Sequence, residues 1–115
     1  MESETDFLEA VLKRSPKDVR ILEVVSDHYY RDNRHRESLR LDRKIVRLRP
    51  SCPKAHYNLA CSLALLGKKS DAVNALHEAL SHGFKDFKWL QSDQDFDSIR
   101  NYRPFIDLLE TYLNN

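Results

Sequence analysis

The sequence matches itself when it is shifted by 34 residues, and this internal repeat constrains the fold more than any other feature. In the two copies, large residues mostly align with large residues and small residues with small ones. The aligned pairs are Leu22 with His56, Val25 with Leu59, Ser26 with Ala60, Tyr29 with Leu63, Ser38 with Ala72, Ile45 with Ala79 and Val46 with Leu80. A period of about 20–50 residues is typical of stacked supersecondary units, each of which buries its apolar face against its neighbours.

Each copy is expected to form two helices. The low content of Gly and Pro, two and four among 115 residues, favours helices over a turn-rich β fold. Folds rich in β-turns use more of both residue types. In the first copy, Ser15 is expected to cap a helix that starts at Pro16, with Asp18 near the positive end of the helix dipole. The second helix is expected from Arg34 to Arg49, because Pro50 ends it.

The second copy has a clearer helical pattern. Pro53 is expected to begin a helix that is apolar on nearly every side, which indicates packing between neighbouring elements. Gly67 is expected to end this helix as a left-handed C-cap, and Gly83 to end the following one. Ser70 is the expected N-cap of that following helix.

The two ends of the chain are expected to cover the stack. Residues 1–14 predict a short acidic helix with a narrow apolar stripe, which consists of Phe7, Leu8, Val11 and Leu12. Residues 85–115 predict two short turns and a final helix that begins near Arg103. Because Trp89 is expected to be buried in this segment, Trp89→Ala should destabilise the fold by on the order of 3 to 5 kcal/mol.

The second copy resembles the tetratricopeptide repeat (TPR) family, whose pattern is W-x2-L-G-x2-Y, followed by A-x3-F and then P. It reads His56-x2-Leu59-Ala60-x2-Leu63, followed by Ala72-x3-Leu76. The first copy reads Leu22-x2-Val25-Ser26-x2-Tyr29, followed by Ser38-x3-Asp42, and ends at Pro50. Asp42 stands where the family has an aromatic or apolar residue, so the first copy is a degenerate repeat.

The C-terminal segment is similar to one that often follows the last repeat of TPR proteins, where it serves as a packing cap. It reads Asp93-x-Asp95-Phe96-x2-Ile99-Arg100-x3-Pro104-Phe105-x2-Leu108-Leu109. The resemblance implies an all-α fold in which antiparallel helix pairs stack as a short right-handed superhelix. It divides one TPR-like domain, 1–115, into an N-terminal capping helix (1–14), a degenerate repeat (16–50), a second repeat (53–84) and a C-terminal cap (85–115).

The resemblance also implies a non-catalytic interaction module that binds a peptide or a partner protein in a concave groove. The groove-facing residues would be Arg20, Glu23, Asp27, Tyr30 and Arg31 in the first repeat, and Lys54, Tyr57, Asn58, Cys61, Ala64 and Leu65 in the second. This mixture of acids, aromatic rings and apolar floor suits a peptide with an apolar anchor and a basic residue. Alternatively, some of these residues pack against the terminal covers.

Positive charge is concentrated on one predicted helix, although the whole chain carries a net charge of only +1. Residues 31–49 contain eight Lys or Arg and three acids, which gives a local net charge of +5. A basic ridge is formed by Arg36, Arg40, Arg43 and Arg47, which lie within about 60° of one another on a helix. The ridge is either a solvated face or a surface for an acidic protein or a nucleic acid.

Two further partners remain open. Nucleic acid is the less favoured partner of the basic ridge, because no aromatic residue interleaves it for base stacking. The two acidic ends of the chain could meet the basic ridge of a second copy, and the repeat ends could stack on each other, so a homo-oligomer is an alternative.

No catalytic, metal or cofactor site is predicted, and the chain is not expected to be an enzyme. His77 and His82 are five residues apart, whereas a helix presents two zinc ligands on one face at a spacing of four. The run 93–97 resembles the start of a calcium loop, but Ser98 and Pro104 replace the Gly and Glu that such a loop requires. An aspartate of this run is instead expected to cap a short helix.

The chain is expected to be cytoplasmic and to make no membrane contact. Residues 1–6 are acidic, unlike the basic and then apolar start of a secretory signal. The most apolar stretch, 59–66, is too short to span a membrane. Cys52 and Cys61 are too far apart for a zinc or redox pair, which favours two free thiols in a reducing compartment, although a single disulfide remains an alternative.

Overall fold

The computed structural model describes residues 3–114, which contain helices and turns but no strand. The α-helices are α1 (Glu4–Arg14), α2 (Val19–Arg31), α3 (His35–Leu48), α4 (Pro53–Leu65), α5 (Lys69–Ser81), α6 (Phe87–Ser92) and α7 (Arg103–Leu113), and a 3-10 helix spans Gln94–Ile99 between α6 and α7. The all-α fold class is therefore confirmed. Residues 1, 2 and 115 lie outside the described residues. The predicted terminal segments, 1–14 and 85–115, are therefore described except at these three positions.

The two helix pairs, α2 with α3 and α4 with α5, each reverse direction through the same turn. Asn33 and Gly67 occupy the left-handed region, with φ of 59° and 74°. The amide of the next residue then bonds back five residues, from Arg34 to the Tyr29 carbonyl and from Lys68 to the Leu63 carbonyl. This is the Schellman motif, and its instances in these two turns are 34 positions apart. A third instance ends α5, where Gly83 has a φ of 105° and the Phe84 amide bonds to the Ala79 carbonyl, as predicted for Gly83. The turns make each pair antiparallel, and the predicted role of Gly67 is confirmed.

Helix starts follow the predictions less closely. Pro53 occupies the first turn of α4, as expected. Ser15, however, is the C-cap of α1 rather than the N-cap of α2, because Asp18 accepts the free amide of Arg20 at 3.0 Å and starts α2 there. Ser70 is likewise not a cap, because α5 begins at Lys69 and has no side-chain cap.

Two apolar cores lie along a molecule of 51 × 25 × 21 Å. The smaller core joins α2, α3 and the start of α4 through Leu22, Val25, Tyr29, Leu41, Ile45 and Ala55. The larger core joins α4 and α5 to the C-terminal segment. Helix α4 contributes to both cores and packs against α3, α5 and the 3-10 helix. Its apolar composition on nearly every side reflects this central position.

The two ends of the chain cover the cores to different extents. The C-terminal segment buries Leu90, Phe96, Ile99 and Phe105 completely or nearly so. Trp89 was expected to be buried with them, but 57% of its surface is exposed. The expectation was wrong because α6 is less than two turns long and directs Leu90, and in part Phe87, toward the core. Helix α1 has no fully buried residue, and Phe7 of its predicted apolar stripe is 59% exposed.

None of the helices within residues 3–114 has both the length and the apolar character needed to cross a membrane.

Candidate partner-binding cleft

A cleft of about 550 Å³ opens between α2 and α4. Ser38, Asp42 and Ile45 of α3 contribute to its lining from below, since α3 packs against both helices. Trp89, Asp93 and Asp95 of the C-terminal segment contribute to one side. Its volume is within the range typical of ligand-binding sites, which runs from about 300 to 1,000 Å³.

Seven of the eleven residues expected to face the groove line this cleft. They are Glu23, Asp27, Tyr30, Lys54, Tyr57, Asn58 and Cys61. The structure does not bring Arg20, Arg31, Ala64 and Leu65 to it. The two arginines are exposed and pair with Asp18 and Asp27 beside them. Ala64 is fully buried, because Ser98 of the 3-10 helix covers the end of α4 and donates a hydrogen bond to its carbonyl at 3.0 Å.

Tyr57 and Cys61 lie in the cleft wall but expose almost none of their surface. The Tyr57 hydroxyl donates to Asp93 at 2.5 Å, and its ring stacks on Phe84 at a centroid distance of 4.2 Å. The Cys61 thiol lies 3.9 Å from the same Asp93 carboxylate. For these two residues the expectation of an open groove face was wrong. The alternative of packing against the C-terminal cover applies, because the cover inserts Asp93 above them.

Tyr30 provides a second contact between α2 and the C-terminal cover. Its hydroxyl donates to both oxygens of Asp95, at 2.9 and 2.8 Å. Burial and this carboxylate raise the pKa of Tyr30, and burial and Asp93 do the same for the pKa of Tyr57. Both hydroxyls therefore remain donors at neutral pH. The cover is thus attached to α2 and α4 through two tyrosine–aspartate contacts.

The thiol of Cys61 is chemically quiet in this position. Burial, followed by the negative charges of Asp93 and Asp95, raises its pKa well above 9.0. Because the thiolate is the reactive form, the thiol is a poor nucleophile here. Cys52 is half-buried, and both cysteines are free, so the predicted free thiols are confirmed and the alternative of a disulfide is wrong.

A buried carboxylate lies at the bottom of the cleft. Asp42 is only 4% exposed. The hydroxyls of Ser26 and Ser62 donate to its two oxygens at 2.6 Å each, and Ser38 lies 3.5 Å away. Burial raises the pKa of Asp42, while the three hydroxyls oppose that rise. The cluster therefore joins α2, α3 and α4 through polar contacts rather than through packed methyl groups.

The Asp42 cluster was not predicted, although the sequence contains a signal for it. Asp42 was expected only to be a degenerate position of the first repeat. In the 34-residue alignment, however, Ser26 and Ser38 occupy positions where the second copy has Ala60 and Ala72. A buried acid requires hydrogen-bond donors nearby. Serines at two positions where the second copy has alanine could therefore have indicated that they surround Asp42.

Negative charge dominates the cleft lining. Besides Asp42, the lining acids are Glu23, Asp27, Asp93 and Asp95, whereas the lining bases are Arg49 and Lys54. The negative potential of a concave site concentrates cations from solution.

The basic ridge lies on a separate surface. Helix α3 directs Ser38, Leu41, Asp42 and Ile45 inward. Arg36, Arg40, Arg43 and Arg47 are all exposed on the opposite side, and none of them forms an ion pair with another residue among 3–114. The predicted continuity of the ridge is therefore observed, and the ridge does not border the cleft.

The acidic run of the C-terminal segment has the predicted capping role. Asp93 is the N-cap of the 3-10 helix and accepts the amide of Asp95 at 3.0 Å.

Comparison with known proteins finds a distant and partial similarity. The chain is 29% identical over 87 residues to a protein of Arabidopsis thaliana whose name describes it as chloroplastic. The aligned region covers 73% of this chain and 26% of that protein, so the chain spans about a quarter of the length of this relative. No protein-family model matches the chain.

Proposed function

We propose that the chain is a non-catalytic protein-interaction module of the TPR type, which binds a segment of a partner protein in the cleft between α2 and α4. The observation that carries this proposal is the cleft of about 550 Å³ with an exposed indole at its rim. Two antiparallel helix pairs whose reversing turns are 34 positions apart support the TPR assignment. The cover narrows the cleft but leaves Glu23, Asp27 and Asn58 exposed.

The chemistry of the cleft favours a partner segment with a basic side chain next to an apolar or aromatic one. Glu23 is exposed on one wall and offers a carboxylate to a Lys or Arg. Asp27 beside it is also exposed, and a cation of the partner would compete there with Arg31. Trp89, on the other wall, offers an aromatic face to an apolar anchor or to the cation itself. A negatively charged peptide would meet the surplus of acids and be repelled.

Selection of displayed random peptides on the full chain tests this preference. Selected sequences should contain Lys or Arg beside an apolar residue. Their affinity, measured by calorimetry, should fall at least about tenfold in the double variant Glu23→Arg/Asp27→Arg, which corresponds to the loss of one charge-assisted contact or more. Arg40→Glu/Arg43→Glu is the matched control, because it also reverses two charges but lies on the other face of α3.

Two results would overturn the cleft proposal. Selected peptides could be predominantly acidic, or their affinity could fall in the Arg40→Glu/Arg43→Glu variant and not in the cleft variant. Either result would indicate that partners bind to the basic ridge rather than in the cleft.

The basic ridge supports a second candidate function, the binding of an acidic protein or a nucleic acid. The observation that favours it is the row of four exposed arginines without ion-pair partners among the described residues. Binding of a short RNA or DNA duplex to the ridge should weaken steeply as salt rises, because each phosphate contact releases a counterion. Binding that is insensitive to salt and to Arg40→Glu/Arg43→Glu would exclude this function.

Location and self-association remain proposals. A cytoplasmic location is the proposal from this sequence, whereas the name of the relative places that other protein in the chloroplast. Localisation of the tagged chain by microscopy in its source cells would decide between these compartments. Light scattering over a concentration series would show whether copies associate, and the same series with Arg40→Glu/Arg43→Glu would show whether the basic ridge is involved.

A further inference from the structure

Three potential metal ligands meet where the start of α4 lies against the end of α5. His56 is on α4, Glu78 is on α5, and His82 is the C-cap residue that follows α5. One donor atom from each lies within 4.8 Å of the other two. The two imidazole rings are nearly parallel, with centroids 5.2 Å apart and an interplanar angle of 15°. This group lies outside the cleft, which none of the three residues lines.

The hydrogen bond of His56 leaves one of its two ring nitrogens free to bind a ligand. Its Nε2 is 2.7 Å from the carbonyl oxygen of Pro50. A carbonyl only accepts hydrogen bonds, so Nε2 carries the proton and Nδ1 carries the free lone pair. Histidines that bind metals typically donate their second ring nitrogen to a carbonyl or a carboxylate in this way, which fixes the ring and its tautomer. His56 is also 6% exposed, so its surroundings hold the ring in place.

The side chains of Glu78 and His82 are more exposed than that of His56, so they can rotate to bind an ion. They are four residues apart at the C-terminal end of α5, the spacing at which two side chains share one helix face. The His82 Nε2 lies 3.5 Å from a Glu78 carboxylate oxygen, and the two side chains are 34% and 52% exposed. Donors around a tetrahedral zinc ion are about 3.3 Å apart, as its short metal–nitrogen bonds require. Small side-chain rotations of these two exposed residues would close the remaining gap while His56 stays fixed.

We propose that His56, Glu78 and His82 bind a divalent transition-metal ion of borderline softness, with Zn²⁺ as the best match. Two neutral imidazoles and one carboxylate are donors that such ions prefer over Mg²⁺ or Ca²⁺, which favour all-oxygen sites. The exposed side of the site leaves at least one position for water or for a donor from another molecule. The bound ion joins α4 to α5 and stabilises the second helix pair.

No metal site was predicted from the sequence, because histidine spacing within one helix does not reveal a pair formed by two helices. His77 and His82 are five residues apart, so they do not lie on one helix face as two zinc ligands would. The partner of His82 is instead His56, which is 26 positions earlier in the chain and is brought alongside by the antiparallel pairing of α4 and α5.

Calorimetric titration of the full chain with ZnCl₂ in a non-chelating buffer tests the proposal. One ion should bind per chain, and the thermal midpoint should rise with zinc because the ion binds only the folded state. Separate His82→Ala and Glu78→Gln variants should each lose affinity. The loss should be about 100-fold for the histidine, since loss of supporting residues alone costs about 10–100-fold. Both residues are exposed, so circular dichroism should show that the variants fold normally.

His77→Ala is the matched control, because His77 is an exposed histidine on the same helix and should not affect zinc affinity. Histidine side-chain NMR gives a second readout, in which zinc should shift the ring signals of His56 and His82 but not those of His77 or His28. The proposal is overturned if the wild type does not bind zinc, or if His82→Ala binds zinc as tightly as the wild type does. It is also overturned if Cys61→Ser abolishes binding, since the ion would then occupy Cys61, Asp93 and Asp95.

Discussion

At the scale of single residues, Asp42 shows how one acid can be retained in the middle of a small helical protein. A buried carboxylate without partners would cost several kcal/mol, and the three serine hydroxyls around Asp42 reduce that cost. They do not remove it, because burial still raises the pKa of Asp42 above its ordinary value of 3.8. The ionised form is therefore less favourable in the folded chain than in the unfolded chain, and this lowers stability at neutral pH.

The raised pKa of Asp42 predicts how Asp42→Asn changes the stability of the fold. The amide keeps the shape and can exchange hydrogen bonds with the serines, so the variant should be more stable than the wild type at pH 7. The difference should shrink as pH falls toward the folded-state pKa of Asp42, because protonation then removes the penalty from the wild type. Urea unfolding at pH 7 and pH 5 measures both values.

Asp42→Ala is the companion variant, and it should cost about 2–3 kcal/mol because it leaves the buried hydroxyls without their acceptor. If Asp42→Asn is less stable than the wild type by the same amount at both pH values, the account of the raised pKa is wrong.

Trp89 provides a second prediction at this scale. Because 57% of its surface is exposed, Trp89→Ala should change the free energy of unfolding by less than about 1 kcal/mol, far below the value expected for a buried tryptophan. The same change should weaken the binding of a selected cleft peptide by about tenfold. Thermal melts and calorimetry separate the two effects, and a large loss of stability without a change in affinity would contradict the role given to the indole.

At the scale of elements, the 3-10 helix determines how much of the groove a partner can reach. It covers Tyr57 and Cys61 of α4 and contacts Tyr30 of α2 through Asp95. A short helix has few hydrogen bonds of its own, so its position depends on these side chains and on the burial of Phe96 and Ile99. The shape of the cleft is therefore a joint property of three elements that are distant in sequence.

Two tyrosine variants test this attachment. Tyr57→Phe leaves a buried Asp93 oxygen without its strongest donor and should cost about 1–3 kcal/mol. Tyr30→Phe should cost less, because water can replace its hydroxyl at the more exposed Asp95. Urea unfolding gives the two costs, and hydrogen exchange should show faster opening of residues 93–99 in Tyr57→Phe. Equal costs for the two variants would mean that burial of the pair does not matter.

At the scale of the whole molecule, the two ends of the chain contribute unequally to stability. The C-terminal segment completes the larger core, whereas α1 packs on the smaller core with partly buried side chains only. A stack of two helix pairs has little internal core, so the segment that closes its apolar end is essential to the fold.

Two deletions follow from this difference. Removal of residues 85–115 exposes the apolar side of α4 and α5 and should leave the chain unfolded or aggregated. Removal of residues 1–14 should preserve the helical signal and lower the midpoint by only a few degrees, as expected for a loss of about 1–2 kcal/mol. Circular dichroism melts of both chains make the comparison. Cooperative folding of the chain without its C-terminal segment would contradict this account.

Local and periodic features are what the sequence by itself determined. The 34-residue period, the proline at the start of α4 and the left-handed glycine after it depend only on neighbouring residues and on helix geometry. They were sufficient to place the helices of the two pairs, whereas the seven predicted residues that line the cleft came from the resemblance to the TPR family. The caps at Ser15 and Ser70 failed, since several nearby residues compete for each helix start.

Contacts between distant residues were decided only by the tertiary structure. Tyr30 meets Asp95 across 65 positions, Tyr57 meets Asp93 across 36, and Ser62 meets Asp42 across 20. No helical period predicts which side of the short α6 enters the core, so Leu90 is buried and Trp89 is not. The relative placement of helices and cover determines these pairings, because each element has several faces that could satisfy its own sequence pattern.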